Sequence, residues 1–356
     1  MKAIIIAGGL GTRLRPLTYN IPKPIVPLAN KPFVFHQIEL LRKFGITEVI
    51  LNLHYLSDNI RNIFDDGRKL GVKMYYSIEE KPMGTAGAVK NAEKFFDDGP
   101  MLVFNGDILT DINLGKMIKF HEDKKAKVTI ALTRVEDPTL YGLIMTDKDQ
   151  RVLEFREKPS WEHVTTNTIN AGIYIVDPSI FKLVPKGKEF SFERQLYPML
   201  LEKGEKIYGY ITDAYWMDIG DPVKYLKAHH DILSGDVMAS IPGNKISANI
   251  WVEDGVNISG SAKVRGPALI GKNSQIAEEV ILDEFVVLGD SVTIGKGSRL
   301  KNCVVHGKSV IKEGVRIEGS IIGAHCTIEE FSSIGGGLTL ADGSILKKGT
   351  RIGGNP

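Results

Sequence analysis

Short apolar runs alternate with helix-period stretches over roughly the first two thirds of the chain. The runs Ala3–Ala7, Glu48–Leu53, Lys73–Ile78, Met101–Asn105, Val128–Thr133, Val152–Glu157, Ile169–Val176 and Ile207–Ile211 are short, β-branched and bounded by turn residues, so they predict strands. Between the first two, Phe35, Ile38, Leu41 and Phe44 recur at helical spacing and predict a helix over Val34–Phe44. Strands alternating with helices predict an α/β domain built on a mostly parallel sheet. In such sheets ligands sit beyond the carboxyl ends of the strands, so the loops there carry the functional expectation.

Past residue 240 the period changes. Apolar residues recur every six positions from Val252 through Ile258, Val264 and Ile270 to Leu300. The phase slips by one to Val305, Ile311 and Ile317, and again to Ile322, which continues to Ile352. Four places after most of them stands a small or β-branched residue, among them Ala268, Ser274, Val280, Val286, Val292, Ser298 and Val304. A hexapeptide period predicts a β-solenoid in which each coil buries its apolar residues against the next. It resembles the left-handed hexapeptide-repeat β-helices, which implies three hexads per coil and about six coils. The expected domains are 1–235, a linker over 236–249, and the β-helix over 250–356. Some solenoids of this type are acyltransferases that use a histidine, and His306 and His325 are the only histidines here. No long inserted loop is present to shape an acyl-donor site, so oligomerisation or regulation is the expected role.

Composition narrows the partners. With 43% hydrophobic and 25% charged residues and a net charge of +2, no global field favours nucleic acid or an anionic membrane. Two cysteines, Cys303 and Cys326, make neither a disulfide framework nor a CxxC pair. The N-terminal apolar run stops at Gly8-Gly9, too short for a secretory signal. A cytoplasmic protein acting on small molecules is expected.

After the first strand comes Gly8-Gly9-Leu10-Gly11-Thr12-Arg13-Leu14-Arg15. Glycines at a strand end let backbone N–H groups approach phosphate oxygens. A dinucleotide fingerprint fails, because Leu14 stands where Gly or Ala is needed and the second strand ends on Asn52, not an acid. A P-loop fails because no Gly-Lys-Ser/Thr follows. Arg13, Arg15 and Lys23 close to one strand end suit a triphosphate. With Pro22-Lys23-Pro24, Gly84-Thr85-Ala86-Gly87, Asn105-Gly106-Asp107, Tyr141-Gly142, Glu157-Lys158-Pro159, Asn170-Ala171-Gly172-Ile173-Tyr174 and Trp216-Met217-Asp218-Ile219-Gly220, this loop resembles the signature of the sugar-phosphate nucleotidylyltransferases, motif by motif and in order. The resemblance implies a Rossmann-like nucleotidyltransferase domain ahead of the β-helix. It is nearest to members that transfer a guanylyl group to mannose 1-phosphate.

The implied reaction is attack of a sugar 1-phosphate oxygen on the α-phosphorus of a nucleoside triphosphate, with loss of pyrophosphate. A phosphate monoester is mostly ionised at neutral pH, its second pKa being about 6, so the nucleophile needs no general base. Catalysis reduces to positioning and charge neutralisation. By resemblance, Arg13 and Lys23 hold the triphosphate, and Gly8, Gly9, Gly11 and Thr12 cradle it. Asp107 and Asp218 hold Mg²⁺, for which hard carboxylate oxygens are suited. Glu79, Gly84 and Thr85 meet the nucleotide's base end; Lys158 meets the sugar phosphate, while Gly142, Glu157, Asn170 and Gly172 bind the sugar. Guanine offers two adjacent donors that one carboxylate can accept, so Glu79 favours GTP, with the neighbouring Glu80 as the alternative. A thymidylyl-, uridylyl- or adenylyltransferase for glucose 1-phosphate stays open, as does a regulatory subunit that binds without turnover. The solenoid's uncapped end predicts a homo-oligomer, and truncation after Gly235 is expected to leave the chemistry partly intact.

Overall fold

The computed structural model describes residues 1–54 and 56–354. Two compact units are formed. Met1–Leu10 and Gln37–Trp216 make the first; Gly11–His36 and the residues from Met217 on make the second. These divisions cross the ones that the change of period suggests, for reasons found in the second unit.

The first unit is a nine-stranded sheet of β1 (Ala3–Ile6), β2 (Glu48–Leu53), β3 (Lys73–Ile78), β4 (Met101–Asn105), β5 (Val128–Arg134), β6 (Gly142–Thr146), β7 (Val152–Glu157), β8 (Thr168–Val176) and β9 (Ile207–Ile211). Its order runs β7-β6-β8-β4-β1-β2-β3, with β5 paired to β8 and to β9. β1 lies parallel between β2 and β4, with Ile5 beside Leu51 and Phe104. Ala3, Ile4 and Ile5 are buried, as a central parallel strand requires. The helices α1 (Phe33–Lys43), α2 (Ser57–Phe64), α3 (Gly84–Asn91), α4 (Leu114–Lys124) and α5 (Tyr197–Glu202) follow in sequence. Ala86 and Val89 of α3 join Ile4, Ile50, Val103 and Tyr174 in one core. Past β4 the sheet turns antiparallel, because β8 runs against β4, β5 and β6. The β6 strand escapes the sequence pattern; it is five residues long and pairs antiparallel with β7, Gly142 opposite Glu157.

In the second unit parallel strands stack as a β-helix. Ile258 pairs with Ile276 and Ile276 with Ile294, steps of 18 residues; Ile294–Ile311 and Ile311–Ile328 are steps of 17, and Ile328–Leu346 is 18 again. The short steps are the two phase slips of the sequence. One inward position differs from the expected one. The slip falls before Val304, so Cys303 pairs with the core residue Val286 and fills the small inward place. Its thiol is pushed up to about 12 by burial. Helix α6 (Pro222–Ser234) starts at Asp221, whose carboxylate accepts the Lys224 N–H at 2.9 Å, and ends at Gly235 in the left-handed region.

Residues 11–36 and α6 fold with the solenoid through buried polar contacts. The Ala29 N–H donates to His229 Nδ1 at 3.2 Å, and Asn30 Nδ2 donates to the Leu288 carbonyl at 2.9 Å. The Tyr225 hydroxyl donates to the Pro27 carbonyl, so the 2.9 Å contact with His306 is made by an Nε2–H of a neutral imidazole. Segment 236–249, expected as a linker, carries the strand Asn244–Ser247, paired with Ile250–Val252. No helix among the described residues is long and apolar enough to cross a membrane.

The buried histidines give the second unit a pH dependence. Burial lowers His306 from 6.5 to about 4, against a weaker upward pull from Asp342. Burial also holds His229 well below its ordinary value, with His306 and His36 adding to the effect. Both are neutral when folded and titrate near 6.5 when unfolded. The His306 contribution is therefore complete above pH 6.5 and is lost as pH falls from there through 4, and the His229 contribution is lost in the same direction. His306 alone should lose about 2 kcal/mol by pH 5. Melting temperatures between pH 7 and pH 4.5 should fall, and His306→Gln should flatten the slope; an equal slope in that variant would assign it to other groups.

Candidate active site

In the first unit the chain leaves β1 toward β2 on one side and later returns to β4 on the other. That strand-order reversal falls at the carboxyl ends of β1 and β4, the place where open α/β sheets bind ligands. Gly8 and Gly9 follow β1, and Gly106 and Asp107 follow β4. The Gly106 N–H donates to the Ile6 carbonyl at 2.8 Å, and a Cβ there would stand 2.6 Å from that oxygen. Glycine is required for this approach, which sets the half-buried Asp107 beside the end of β1. The space over Gly9 is open to 4 Å.

Glu79 and Glu80 separate cleanly. Glu80 is exposed, whereas Glu79 is buried with its carboxylate against Gly8; a Cβ on Gly8 would lie 3.3 Å from Glu79 Oε1. Glu79 Oε2 accepts the Met83 N–H at 3.1 Å, and His54 Nδ1 donates to the Glu79 carbonyl at 2.8 Å. Burial raises the Glu79 pKa, with the Met83 hydrogen bond and His54 acting against it. A carboxylate is thus fixed beside the glycine turn.

The Gly84-Thr85-Ala86-Gly87 turn is tied to protein. Cβ atoms on Gly84 and Gly87 would stand 2.8 Å from the Phe190 carbonyl and 2.7 Å from the Lys188 carbonyl, so these glycines admit the backbone of residues 188–190. Thr85 Oγ1 donates to Glu193 Oε2 at 2.9 Å and accepts the Phe192 N–H at 2.9 Å. Glu193, which the motifs do not point to, also accepts from Ser191 Oγ at 2.7 Å and from the Tyr174 hydroxyl at 3.0 Å. Asn170 Nδ2 donates to the Tyr174 oxygen at 2.8 Å, and Asn170 Oδ1 accepts the Gly172 N–H at 2.9 Å. The only signal for Glu193 in sequence is Ser191-Phe192-Glu193, which reads as a helix cap; Ser191 does accept the Glu193 and Arg194 N–H groups.

On the same side, a Cβ on Gly142 would lie 2.9 Å from Glu157 Oε2. The packing behind that carboxylate raises its pKa, helped by the charge of Glu193 and opposed by Lys158 and Arg194. Lys158 is exposed, and its N–H donates to the Tyr141 carbonyl at 3.0 Å. Trp216 Nε1 donates to the Ala171 carbonyl at 2.8 Å, and the Trp216 ring meets Tyr141 edge-on. Gly142, Glu157, Asn170 and Gly172 are thereby brought together on β6, β7 and β8.

In the second unit Gly11, at φ +63°, opens the turn Thr12–Leu14, and its carbonyl accepts from Thr18 Oγ1 at 2.8 Å. A Cβ on Gly11 would stand 3.1 Å from Lys23 Cβ, so the loop closes on Lys23. The exposed Arg13 guanidinium lies flat against Gly220, where a Cβ would meet it at 3.0–3.2 Å. Asp218, two residues earlier, accepts Lys224 Nζ at 2.5 Å. Its carboxylate already holds one cation. That donor chemistry fits a divalent ion completed by substrate phosphates, and the described residues alone build no closed cage there. Among the described residues, the one convergent group of three potential ligands is His230, Asp231 and Asp236, where Lys227 Nζ takes both Asp231 oxygens at 2.7 and 2.9 Å. His306 is buried under Tyr225, away from any acceptor substrate an acyltransferase would need.

The chain matches two family profiles, nucleotidyl transferase over residues 2–235 and the GMPPB C-terminal domain over 264–355. A mannose-1-phosphate guanylyltransferase of Mycobacterium tuberculosis is 36% identical over 83% of this chain and 82% of its own length. A UTP–glucose-1-phosphate uridylyltransferase of Synechocystis is 33% identical over 94% of this chain and 90% of its own. Among solved structures, HddC from Yersinia pseudotuberculosis complexed with GMP-PN superposes with a TM-score of 0.56 at 34% identity, over 65% of this chain and 98% of that one. The motif order, the strand topology and these likenesses agree: the chain belongs to the sugar-phosphate nucleotidylyltransferases, enzymes with a Rossmann-like catalytic sheet here followed by a β-helix.

Proposed function

We propose that the chain transfers a guanylyl group from GTP to mannose 1-phosphate, giving GDP-mannose and pyrophosphate. The observation that carries this reading is the buried Glu79 carboxylate held beside Gly8, an acceptor suited to guanine's two adjacent donors. The name of the Mycobacterium tuberculosis relative supports it, and that of the Synechocystis relative supports UTP and glucose 1-phosphate as the second reading. In the reaction an ionised oxygen of the sugar phosphate forms a bond to the α-phosphorus. The bond to the bridging oxygen breaks, and pyrophosphate leaves with that electron pair. Arg13 and Lys23 neutralise the phosphates; the backbone at Gly8, Gly9, Gly11 and Thr12 cradles them. Asp107 and Asp218 would hold Mg²⁺, which when bound supplies charge neutralisation across the phosphates. Lys158 receives the sugar phosphate; Glu157, Asn170, Gly142 and Gly172 receive the sugar. Two free, buried thiols suit a reducing cytoplasm. A homo-oligomer through the β-helix would cover apolar side chains left open near its end, such as Ile345, which is 61% exposed.

A panel of four triphosphates against mannose and glucose 1-phosphates, read by pyrophosphate release, tests this directly. GTP with mannose 1-phosphate should give the highest kcat/KM. Glu79→Gln should shift preference toward UTP or dTTP by roughly 10- to 100-fold, since the amide sets a donor against guanine's donors. Unchanged ratios would remove Glu79 from base recognition.

A further inference from the structure

We infer that Glu193 is a positioning residue for the sugar phosphate, acting through Tyr174 on the Asn170 amide; this rests on the assignment of Asn170 to the sugar. A carboxylate accepts hydrogen bonds and donates none. Three hydroxyls are therefore compelled to point at Glu193: Thr85 and Ser191 at Oε2, Tyr174 at Oε1. Thr85 and Ser191 use their remaining lone pairs on backbone N–H groups, so their orientation is doubly fixed. With its only proton committed to Glu193, the Tyr174 oxygen presents lone pairs to the amides of Asn170 and Asn105, and accepts Asn170 Nδ2–H at 2.8 Å. Asn170 Oδ1 then faces the Gly172 N–H. The flipped amide would set oxygen against oxygen at Tyr174 and N–H against N–H at Gly172. One donor and one acceptor of Asn170 remain, in an order dictated from Glu193.

Burial makes the arrangement rigid. Tyr174 is completely buried and packs against Phe192 and Tyr197, so its hydroxyl has no water to turn to. The same carboxylate adds to the upward shift of the Glu157 pKa, against Lys158 and Arg194. Glu193 thus acts on two of the residues assigned to the sugar, once through a hydrogen-bond chain and once through charge.

Glu193→Gln distinguishes this from a structural role. Two hydroxyl donors meet at Oε2, so the glutamine oxygen settles there and the contacts to Thr85 and Ser191 survive. The amide nitrogen falls at Oε1, donates to Tyr174, and turns the Tyr174 proton toward the amides of Asn170 and Asn105. Only the sugar side is reversed. With the best sugar 1-phosphate of the wild-type panel, its KM should rise about 10-fold while the KM for the triphosphate stays within about twofold. Tyr174→Phe, which keeps the ring packing, should do the same, and the double variant should lose no more than the worse single one. In Glu193→Gln the acid limb of the kcat/KM profile for the sugar phosphate should move to lower pH, because Glu157 loses a like-charged neighbour. Equal rises in both KM values, additive losses, or a lowered melting temperature with unchanged sugar KM and acid limb would overturn the inference. If Glu193→Gln does not fold, the Tyr174→Phe result decides alone. Two controls keep the underlying readings separate: Asn170→Ala with unchanged sugar KM removes Asn170 from the sugar site, and a wild-type preference for another sugar removes mannose.

Discussion

Asp218→Asn should lower kcat by on the order of 10² or more at saturating Mg²⁺, and Asp107→Asn should do the same. An amide offers a divalent cation one neutral oxygen in place of an anion, and the missing charge is felt where phosphate charge must be balanced. For Asp218 the geometry supplies a rival explanation, because its oxygen is already paired with Lys224 at 2.5 Å. If the pair were purely structural, Asp218→Asn would lower the melting temperature and leave kcat alone. If the carboxylate serves a metal, Lys224 competes for it, and Lys224→Met should lower the Mg²⁺ concentration needed for half-maximal rate. Wild-type turnover in both Asn variants would end the metal assignment. A loss of rate in Asp218→Asn with unaltered Mg²⁺ dependence in Lys224→Met would leave the metal role and remove the competition.

The reach of the sequence differs between parts of this molecule for physical reasons. Period carries strands and coils well, since burying one face of a repeating backbone imposes its spacing on the residues themselves. Thus Ile276, Leu282, Ile294 and Ile328 fall inside the solenoid as the hexads require, and the two phase slips reappear as coils one residue shorter. Where the period breaks, it stops informing: Cys303 takes the inward place that counting gives to Val304. β6 was hidden because a five-residue strand beginning at Gly142 is too short to show an alternation. Glu193 was hidden for a different reason. Its partners Thr85 and Tyr174 lie 108 and 19 residues away, and no local pattern reports a carboxylate collecting hydroxyls from three segments. Gly84-Thr85-Ala86-Gly87 was legible as a motif by resemblance, yet what requires its glycines is the backbone of residues 188–190. The period also could not reveal that residues 11–36 belong with the solenoid, because that grouping rests on single contacts from Ala29, Asn30 and Tyr225.

That last grouping reverses an expectation. Truncation after Gly235 should abolish turnover, where the change of period alone suggests a separable catalytic part. The removed residues include His306, the partner of Tyr225 on α6, and Leu288, whose carbonyl holds Asn30. They also include the strands that complete the compact unit of Gly11–His36. Arg13, Lys23 and Asp218 all lie in that unit, so the loop whose cations are proposed to bind the phosphates loses its support even though every one of these residues is still present. Uncovering Tyr225 and His229, both nearly fully buried, would expose apolar surface, and the Tyr225 hydroxyl and the Asn30 amide would lose their partners His306 and Leu288. The truncated chain should therefore aggregate or melt well below the full-length protein, with kcat/KM reduced by at least about 10³. Sheet residues of the first unit should keep slow amide exchange, since β1, β2 and β4 pair without any residue past 235. By light scattering the intact protein should exceed one chain in mass. Near-normal turnover by soluble truncated protein would show that the 11–36 loop holds its shape without the solenoid, and would return the boundary to residue 235.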